Sequence, residues 1–434
     1  MNRITCGISA AIAVLISTNL WADWSMPLLN AGHVTWRPEV AVTANVINQP
    51  AWRAGTDIAA PIAPCVVGNT VYAVAQTGED WYITEPVSCR IEARKTADGS
   101  LIWVSSELDT DSVSESTLSG ITADNSQSSL FFATGSTLYS LSMANGTIKW
   151  QTSIADAVTT FTLPGVSATV VNASPAINDD MVFINTRDYS STGSVLLAYD
   201  KATGAPRWQA LNVSTGLNSP LAVTVAGTPV VFTPYSSDGF TGAIQCFDAA
   251  TGNIKWRSAW ETSALFWADL VYADNCIYGV TYDYAGVTGN LVCANATDGQ
   301  LKWKVDAPFS DTTPLVAENA VYIAGGAWGA GKLCGYSLSD GTQLFEPVAL
   351  RANIFRNNMA ASANRLFLSA NNRIYAFGFD GVKIAESAAD FYNASIVLDS
   401  DGSLYATAPD YATQTQELVK FEPLSAVDDW QILW

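Results

Sequence analysis

An eleven-residue pattern ending in tryptophan recurs along the chain, and it restricts the fold more than any other feature. Its cleanest copy runs from Ala198 to Trp208, with Gly204 in the seventh place and Trp208 in the eleventh. Further copies run from Ala93 to Trp103, Ser140 to Trp150, Cys246 to Trp256 and Cys293 to Trp303, with Gly99, Gly146, Gly252 and Gly299 in the seventh place. Two copies are degenerate: Gly341 is followed by Phe345, and Gly381 by Ala385, where tryptophan is expected. An eighth copy is read from Lys420 to Trp430, with Ala426 in the glycine place. Self-similarity at a period of about 40–50 residues marks a propeller, a solenoid or an array.

Ahead of each copy lie short β-branched or aromatic runs bounded by Asn, Asp and Gly. Ala176-Ile177 followed by Met181 to Ile184, Val321 to Ala324 and Arg365 to Leu368 are examples. Such runs read as strands. Each unit is therefore strand A, a tight turn, strand B, a variable loop, strand C, the turn of the pattern, and strand D carrying the tryptophan. This is one four-stranded antiparallel blade. Eight of them predict an all-β, eight-bladed β-propeller, which leaves only short, protected edges. The boundaries read as a signal peptide over 1–22, an N-terminal extension and ring-closing segment over 23–60, and the propeller over 61–434.

The pattern has a mechanical reason. Its seventh place closes a hairpin turn where positive φ is expected, which glycine adopts without a Cβ clash. Asp200, Asp248 and Asn295, in the third place, can accept hydrogen bonds from the turn amides. One tryptophan per blade can pack across the seam to the next blade, with its indole N–H needing one acceptor. Trp103, Trp150, Trp208, Trp256, Trp303 and Trp430, with the five glycines named first, are accordingly structural residues.

The pattern resembles the tryptophan-docking motif of the PQQ-like β-propeller repeat family, Ala-x-Asp-x-x-Thr-Gly-x-x-x-Trp. The segment Asp23 to Met26, with Asn30 and His33, resembles the opening of secreted members. The resemblance implies the propeller fold. It leaves function open between quinoprotein alcohol dehydrogenases, which bind pyrroloquinoline quinone (PQQ) and calcium, and non-enzymatic members such as the lipoprotein that assists outer-membrane β-barrel assembly.

Composition narrows the setting. Met1 to Arg3 is a basic start, Ile4 to Leu20 is mainly apolar, and Leu20-Trp-Ala22 fits a signal-peptidase site. Ser17, Thr18 and Asn19 shorten the apolar run below a membrane span. The chain is thus expected in the periplasm or secreted, without a transmembrane segment once processed, and monomeric. Its formal charge of −19, with only 14% of residues charged, excludes nucleic acid as a partner. The acidic stretch from Ser106 to Ser119 reads as a solvated link between the first two blades. Six cysteines follow the leader: Cys65, Cys89, Cys246, Cys276, Cys293 and Cys334. An even number in an exported chain permits disulfides. Cys276 and Cys293 would face each other if Tyr278 paired with Leu291, so they are the candidate disulfide, with buried thiols as the alternative.

Much chemistry lacks its residues. His33 is the only histidine, which rules out multi-histidine metal sites and leaves a Ser-His or Cys-His triad only that one residue. No Cys-x-x-Cys is present, and Gly325 to Gly331 lies between two strands rather than before a helix, so it is not a phosphate loop. The quinoprotein dehydrogenases resemble one another in an adjacent cysteine pair over the cofactor, and this chain has none. No cofactor is expected, PQQ and calcium included.

The unequal loops carry what remains. In a propeller the B–C and D–A loops emerge on one face. Here the B–C loops hold repeated Asp–aromatic steps: Asp80-Trp81, Asp188-Tyr189, Asp238 with Phe240, Asp283-Tyr284 and Asp410-Tyr411, with Trp328 in the sixth blade. Aromatics with a polar edge suit contact surfaces, although rings that pad loops against each other would look the same. Asp188, Asp238 and Asp283 could also supply a carboxylate pair for glycoside hydrolysis, but loop aspartates usually cap turns. The sequence is best read as an exported binding or scaffolding propeller whose B–C loop face engages a protein, peptide or glycan. A quinoprotein-like oxidoreductase is the alternative.

Overall fold

The computed structural model describes residues 35–423, apart from 57–61, 78–87, 109–118, 155, 157–172, 188–193, 213–217, 237–239, 284–287, 328, 351–358, 389–390, 392–393 and 411–414. It is an eight-bladed β-propeller: eight four-stranded antiparallel sheets, seven of them built from consecutive strands. In blade three, strand A is Ala176–Ile177, B is Met181–Arg187, C is Ser194–Asp200 and D is Pro206–Asn212. Strands B and C are buried on both faces between neighbouring blades, which is why they are runs of Val, Leu, Ile, Phe and Tyr. Strand D is the outer edge and leaves apolar side chains such as Leu101 and Ile102 exposed.

The C–D turns behave as the motif predicts. Asp200 Oδ1 accepts from the amides of Ala202 and Thr203 at 3.1 and 2.9 Å. Asp248 Oδ1 accepts from Thr251 N at 3.0 Å, and Asn295 Oδ1 from Thr297 N at 2.8 Å. Gly99, Gly146, Gly204, Gly252 and Gly299 all have φ near +70°. They also have a second reason to lack a side chain. A Cβ on Gly252 would lie 2.5 Å from Cε3 of Trp208, and one on Gly146 2.5 Å from Cε3 of Trp103. Each tryptophan thus lies flat on the glycine turn of the next blade. Its indole N–H reaches a carbonyl there: Trp103 to Met143, Trp150 to Lys201, Trp208 to Ala249 and Trp303 to Leu338, at 2.9–3.1 Å. Trp256 Nε1 is the exception, buried without an acceptor among the described residues. Phe345 takes the same place over Gly381.

Blade eight corrects one expectation. Its strands A to C are Ser395–Leu398, Leu404–Asp410 and Thr415–Phe421, and its strand D is Trp52–Thr56 from the other end of the chain. Trp52 pairs with Lys420, its ring covers Gly99, and its indole donates to Thr96 O at 3.0 Å. The eighth docking place therefore belongs to Trp52 and not to Trp430, which lies outside the described residues; Lys420 lies within strand C, where the other copies also begin. The ring is closed by pairing its N-terminal strand with its last one.

The seam at Ala385 lacks a large ring, and residues before Trp52 fill it. Val40, Val42, Val46 and Ile47, the last two in a 3-10 helix over Ala44–Ile47, pack in one buried cluster with Ala385, Phe391 and Phe421. Further back, Thr35 and Arg37 pair with Ala361 on the innermost strand of blade seven, and Arg37 Nε donates to Leu398 O at 2.7 Å in blade eight. Ile47 is fully buried. Ile47→Ala is expected to cost about 2–4 kcal/mol, read from urea unfolding, whereas the exposed Leu101→Ala is expected to cost less than about 0.5 kcal/mol.

The register around the candidate disulfide also differs from expectation. The register places Tyr278 opposite Cys293 and Cys276 opposite Asn295, two residues from the expected alignment. The six cysteines are buried free thiols.

Candidate binding face

Backbone hydrogen bonds join the B–C and D–A loops of blades four to six into one surface. Gly242, at the root of the blade-four B–C loop, exchanges bonds with Thr262 in the following D–A connection, at 2.8 and 3.3 Å. Tyr282 N donates to Leu265 O at 2.9 Å, Ser310 N to Thr281 O at 3.1 Å, and Gly326 N to Phe309 O at 2.9 Å. Each link ties a B–C loop to a D–A connection, so both loop types occupy one end of the ring. Side chains reinforce the links: Asn290 accepts from Ser263 Oγ and donates to Asp306, both at 3.3 Å. Gly325 to Gly331 lies between strands Ala320–Gly325 and Lys332–Ser337, a loop between strands as expected.

Of the Asp–aromatic residues, Phe240 and Asp283 fall within the described segments. Phe240 is 77% exposed, the largest exposure among the described large hydrophobics, and Asp283 is half-buried. Asp410 ends strand B of blade eight, with its side chain outside the described residues. Asp80, Trp81, Asp188, Tyr189, Asp238, Tyr284, Trp328 and Tyr411 lie outside them too. The carboxylate-pair reading needs Asp188 and Asp238, so it has no described geometry.

The structure adds aromatics that the sequence pattern does not mark. Trp267 stacks on Tyr282 with centroids 4.6 Å apart and an interplanar angle of 18°. Tyr282 meets Phe309 edge-on at 4.9 Å. Arg257 lies over the Tyr235 ring at 4.4 Å while its Nε donates to Gln245 at 3.1 Å. Trp267 and Phe309 belong to D–A connections, which share no repeat signature. Their nearest sequence signal is Phe266-Trp267 ahead of strand A. Trp267 and Tyr282 stack over the buried Phe309, and Phe240 is exposed on the same face.

Nearer the axis, the residues just before the inner strands are polar. Asn185 Nδ2 donates to Asn218 O at 3.0 Å, and Asn218 Nδ2 to Ala268 O. Ser219 N donates to Asp269 Oδ1 at 2.6 Å, and Ser174 N to Ser219 Oγ at 2.9 Å. This belt runs from blade three to blade five. Among the described residues no three His, Cys, Asp or Glu side chains converge as metal ligands do, and Arg257 is already committed to Tyr235 and Gln245.

The family described as outer membrane protein assembly factor BamB matches residues 87–241 and 240–377, well over half of the chain. The chain belongs to this family. Among solved structures, BamB from Moraxella catarrhalis aligns at a TM-score of 0.56 and 15% identity, covering 80% of this chain and 96% of that one. The quinohemoprotein alcohol dehydrogenase ADHIIG from Pseudomonas putida HK5 aligns at 0.66 and 12% identity, covering 93% and 80%. That from Comamonas testosteroni aligns at 0.67 and 14%, covering 92% and 80%. Identities this low carry the fold alone. No curated protein matches the sequence. Membership in the BamB family thus accounts for the docking motif, and the likeness to dehydrogenases shows that the same ring can also carry an enzyme. No helix among the described residues is long and apolar enough to cross a membrane.

Proposed function

We propose that the protein is an exported, non-enzymatic scaffold that engages a protein, peptide or glycan through its B–C loop face, with a protein partner favoured by membership in an assembly-factor family. The observation that carries this reading is the stacked pair Trp267 and Tyr282, seated on buried Phe309, on the loop face where Phe240 is exposed. Rigid aromatic surface contributes large buried area at low entropic cost, as binding anchors do. The backbone links beneath it hold the loops in a preformed shape, which lowers the cost of association. The quinoprotein-like reading rests on the fold likeness to the two dehydrogenases. It has no support from the donor groups on the described face.

The test is site-specific photocrosslinking in cells of the native host. A crosslinker at Phe240 or Asp283 is expected to trap a discrete partner band, while one at Asn275, in an A–B turn at the opposite end of blade five, traps none. A partner trapped from Asn275 and not from the loop face would move the binding surface to the other end of the ring. The triple substitution of Tyr189, Tyr284 and Trp328 by alanine is expected to remove the trapped band at least tenfold (about 1.4 kcal/mol or more) without shifting the melting temperature.

A further inference from the structure

Blade five contains a cluster that the loop face does not use. Cys276 is the first residue of strand B, Cys276–Val280, directly after the exposed turn residues Asp274 and Asn275, which both have positive φ. Cys293 lies on strand C, Gly289–Asn295, opposite Tyr278. With Cys276 opposite Asn295, the two cysteines are diagonal neighbours on one face of the sheet, within side-chain reach. Cys276 Sγ donates to Asp274 O at 3.4 Å. Lys302, on strand D, Leu301–Ala307, reaches across strand C and brings Nζ to 2.9 Å from Cys276 Sγ. Lys302 is exposed while both cysteines are buried. One sulfur is therefore held an ammonium's depth below the surface, beside a fixed positive charge and a second thiol.

We propose that Cys276 and Cys293 form a thiol–disulfide exchange site, with Cys276 the attacking sulfur and Cys293 the resolving one. The co-reactant is a small exogenous disulfide. Cys276, as thiolate, attacks one sulfur of that disulfide; a new S–S bond forms, the old one breaks, and the departing thiolate takes up the proton that Cys276 released. Cys293 then loses its proton and attacks Cys276 Sγ, expelling the second small thiolate, which is protonated in turn. Two protein thiols become one disulfide, and one small disulfide becomes two thiols. The arrangement fits the order of attack, since a neighbouring cation favours the thiolate. The neighbouring Cys293, together with the Lys302 ammonium 2.9 Å away, holds the Cys276 thiol below the usual range, and Cys276 raises Cys293 in turn. At two other thiols burial outweighs the nearby lysines: it pushes Cys246 up to about 12 and Cys334 to about 11. A diagonal pair spans about 7–8 Å, beyond the usual disulfide range, so closing the bond requires the backbone to move. The first residue of strand B, next to its turn, is where the backbone can give. A cross-link closed this way is of the labile, reversible kind.

The experiment uses the folded full-length protein, reduced and desalted, then mixed with oxidised glutathione and quenched by alkylation for peptide mass spectrometry. Cys276 is expected to react at least about tenfold faster than Cys246 or Cys334, as its greater thiolate fraction dictates. The Cys276–Cys293 linked peptide is expected to follow, with two glutathiones released per chain. Cys293→Ser should stop at a stable glutathione adduct on Cys276. The proposal is overturned if Cys276 in the wild type reacts no faster than Cys246, or if the linked peptide fails to form. Both readings come from the wild-type chain, so a variant that misfolds does not obscure them.

Discussion

Trp208→Ala is expected to destabilise the ring by about 3–5 kcal/mol. Trp208 is 7% exposed, its indole lies over the Gly252 turn of blade four, and its ring sits 5.8 Å from Phe183. Truncation removes that burial, the cavity cannot close because Gly252 has no side chain to fill it, and Ala249 O loses its donor at 3.0 Å. Urea unfolding at pH 7 is the measurement, with the loss seen as a lower midpoint at unchanged slope. Trp208→Phe should lose less, since Phe345 occupies the equivalent place over Gly381 in the native ring. A Trp208→Ala protein within about 0.5 kcal/mol of the wild type would show that the tryptophans do not hold the seams. Gly252→Ala attacks the same joint from the other side, by a Cβ 2.5 Å from the indole and by a positive φ.

Lys201→Met is the second large effect expected, at about 3–5 kcal/mol. Lys201 and Asp124 pair at 2.9 Å across the seam between blades two and three, with side chains 4% and 7% exposed. Lys201 Nζ also donates to Asn178 O at 2.8 Å. Methionine keeps the bulk but leaves a buried carboxylate without its cation. The pH dependence follows from Asp124. Burial raises its pKa, but hydrogen bonding from Ser126 and the charge of Lys201 outweigh burial and hold it below the ordinary value. A carboxyl lowered in the folded state stabilises above its unfolded pKa of about 3.9, and that contribution is lost as pH falls through the folded value. The gap between wild type and Lys201→Met is therefore expected to shrink as acid protonates Asp124, first in the variant, where burial without the cation raises its pKa, and last in the wild type, where it is lowered. Adding Asp124→Asn to Lys201→Met should recover part of the loss. A gap that stays constant down to pH 2.5 would contradict the pair's role.

The repeat was legible because each copy carries its own turn. A glycine at positive φ, a capping Asp and a spaced Trp lie within eleven residues, so short-range chemistry marks every blade that has all three. Trp52 was not legible for the same reason: its strand begins the ring without a preceding C–D turn, and it pairs with Lys420 from the far end of the chain. The cysteine register shows a different limit. A slip of two residues leaves every side chain on its original face, so hydrophobic alternation cannot separate Tyr278 opposite Leu291 from Tyr278 opposite Cys293. Only the loop between the strands decides, and its length follows no local rule. The glycines hid half of their purpose as well. Their positive φ follows from turn chemistry, but the indole pressed against each one comes from the neighbouring blade.

The loop face was legible as a place and only partly as a set of residues. Alternation of strands and loops puts the B–C loops at one end of the ring, and Phe240 stands exposed there. Trp267 and Phe309 come from D–A connections of unequal length, and their meeting with Tyr282 depends on how three chain segments fold over one another. No periodicity signals that contact.

The central claim is that this ring binds rather than oxidises, and reconstitution tests it most directly. The purified protein would be incubated with PQQ and calcium, desalted, scanned for a bound chromophore and assayed for dye-linked oxidation of primary alcohols. The account predicts no retained chromophore and no alcohol-dependent dye reduction. Stoichiometric quinone retained with calcium, together with dye reduction that requires both, would contradict it and make the protein a quinoprotein oxidoreductase.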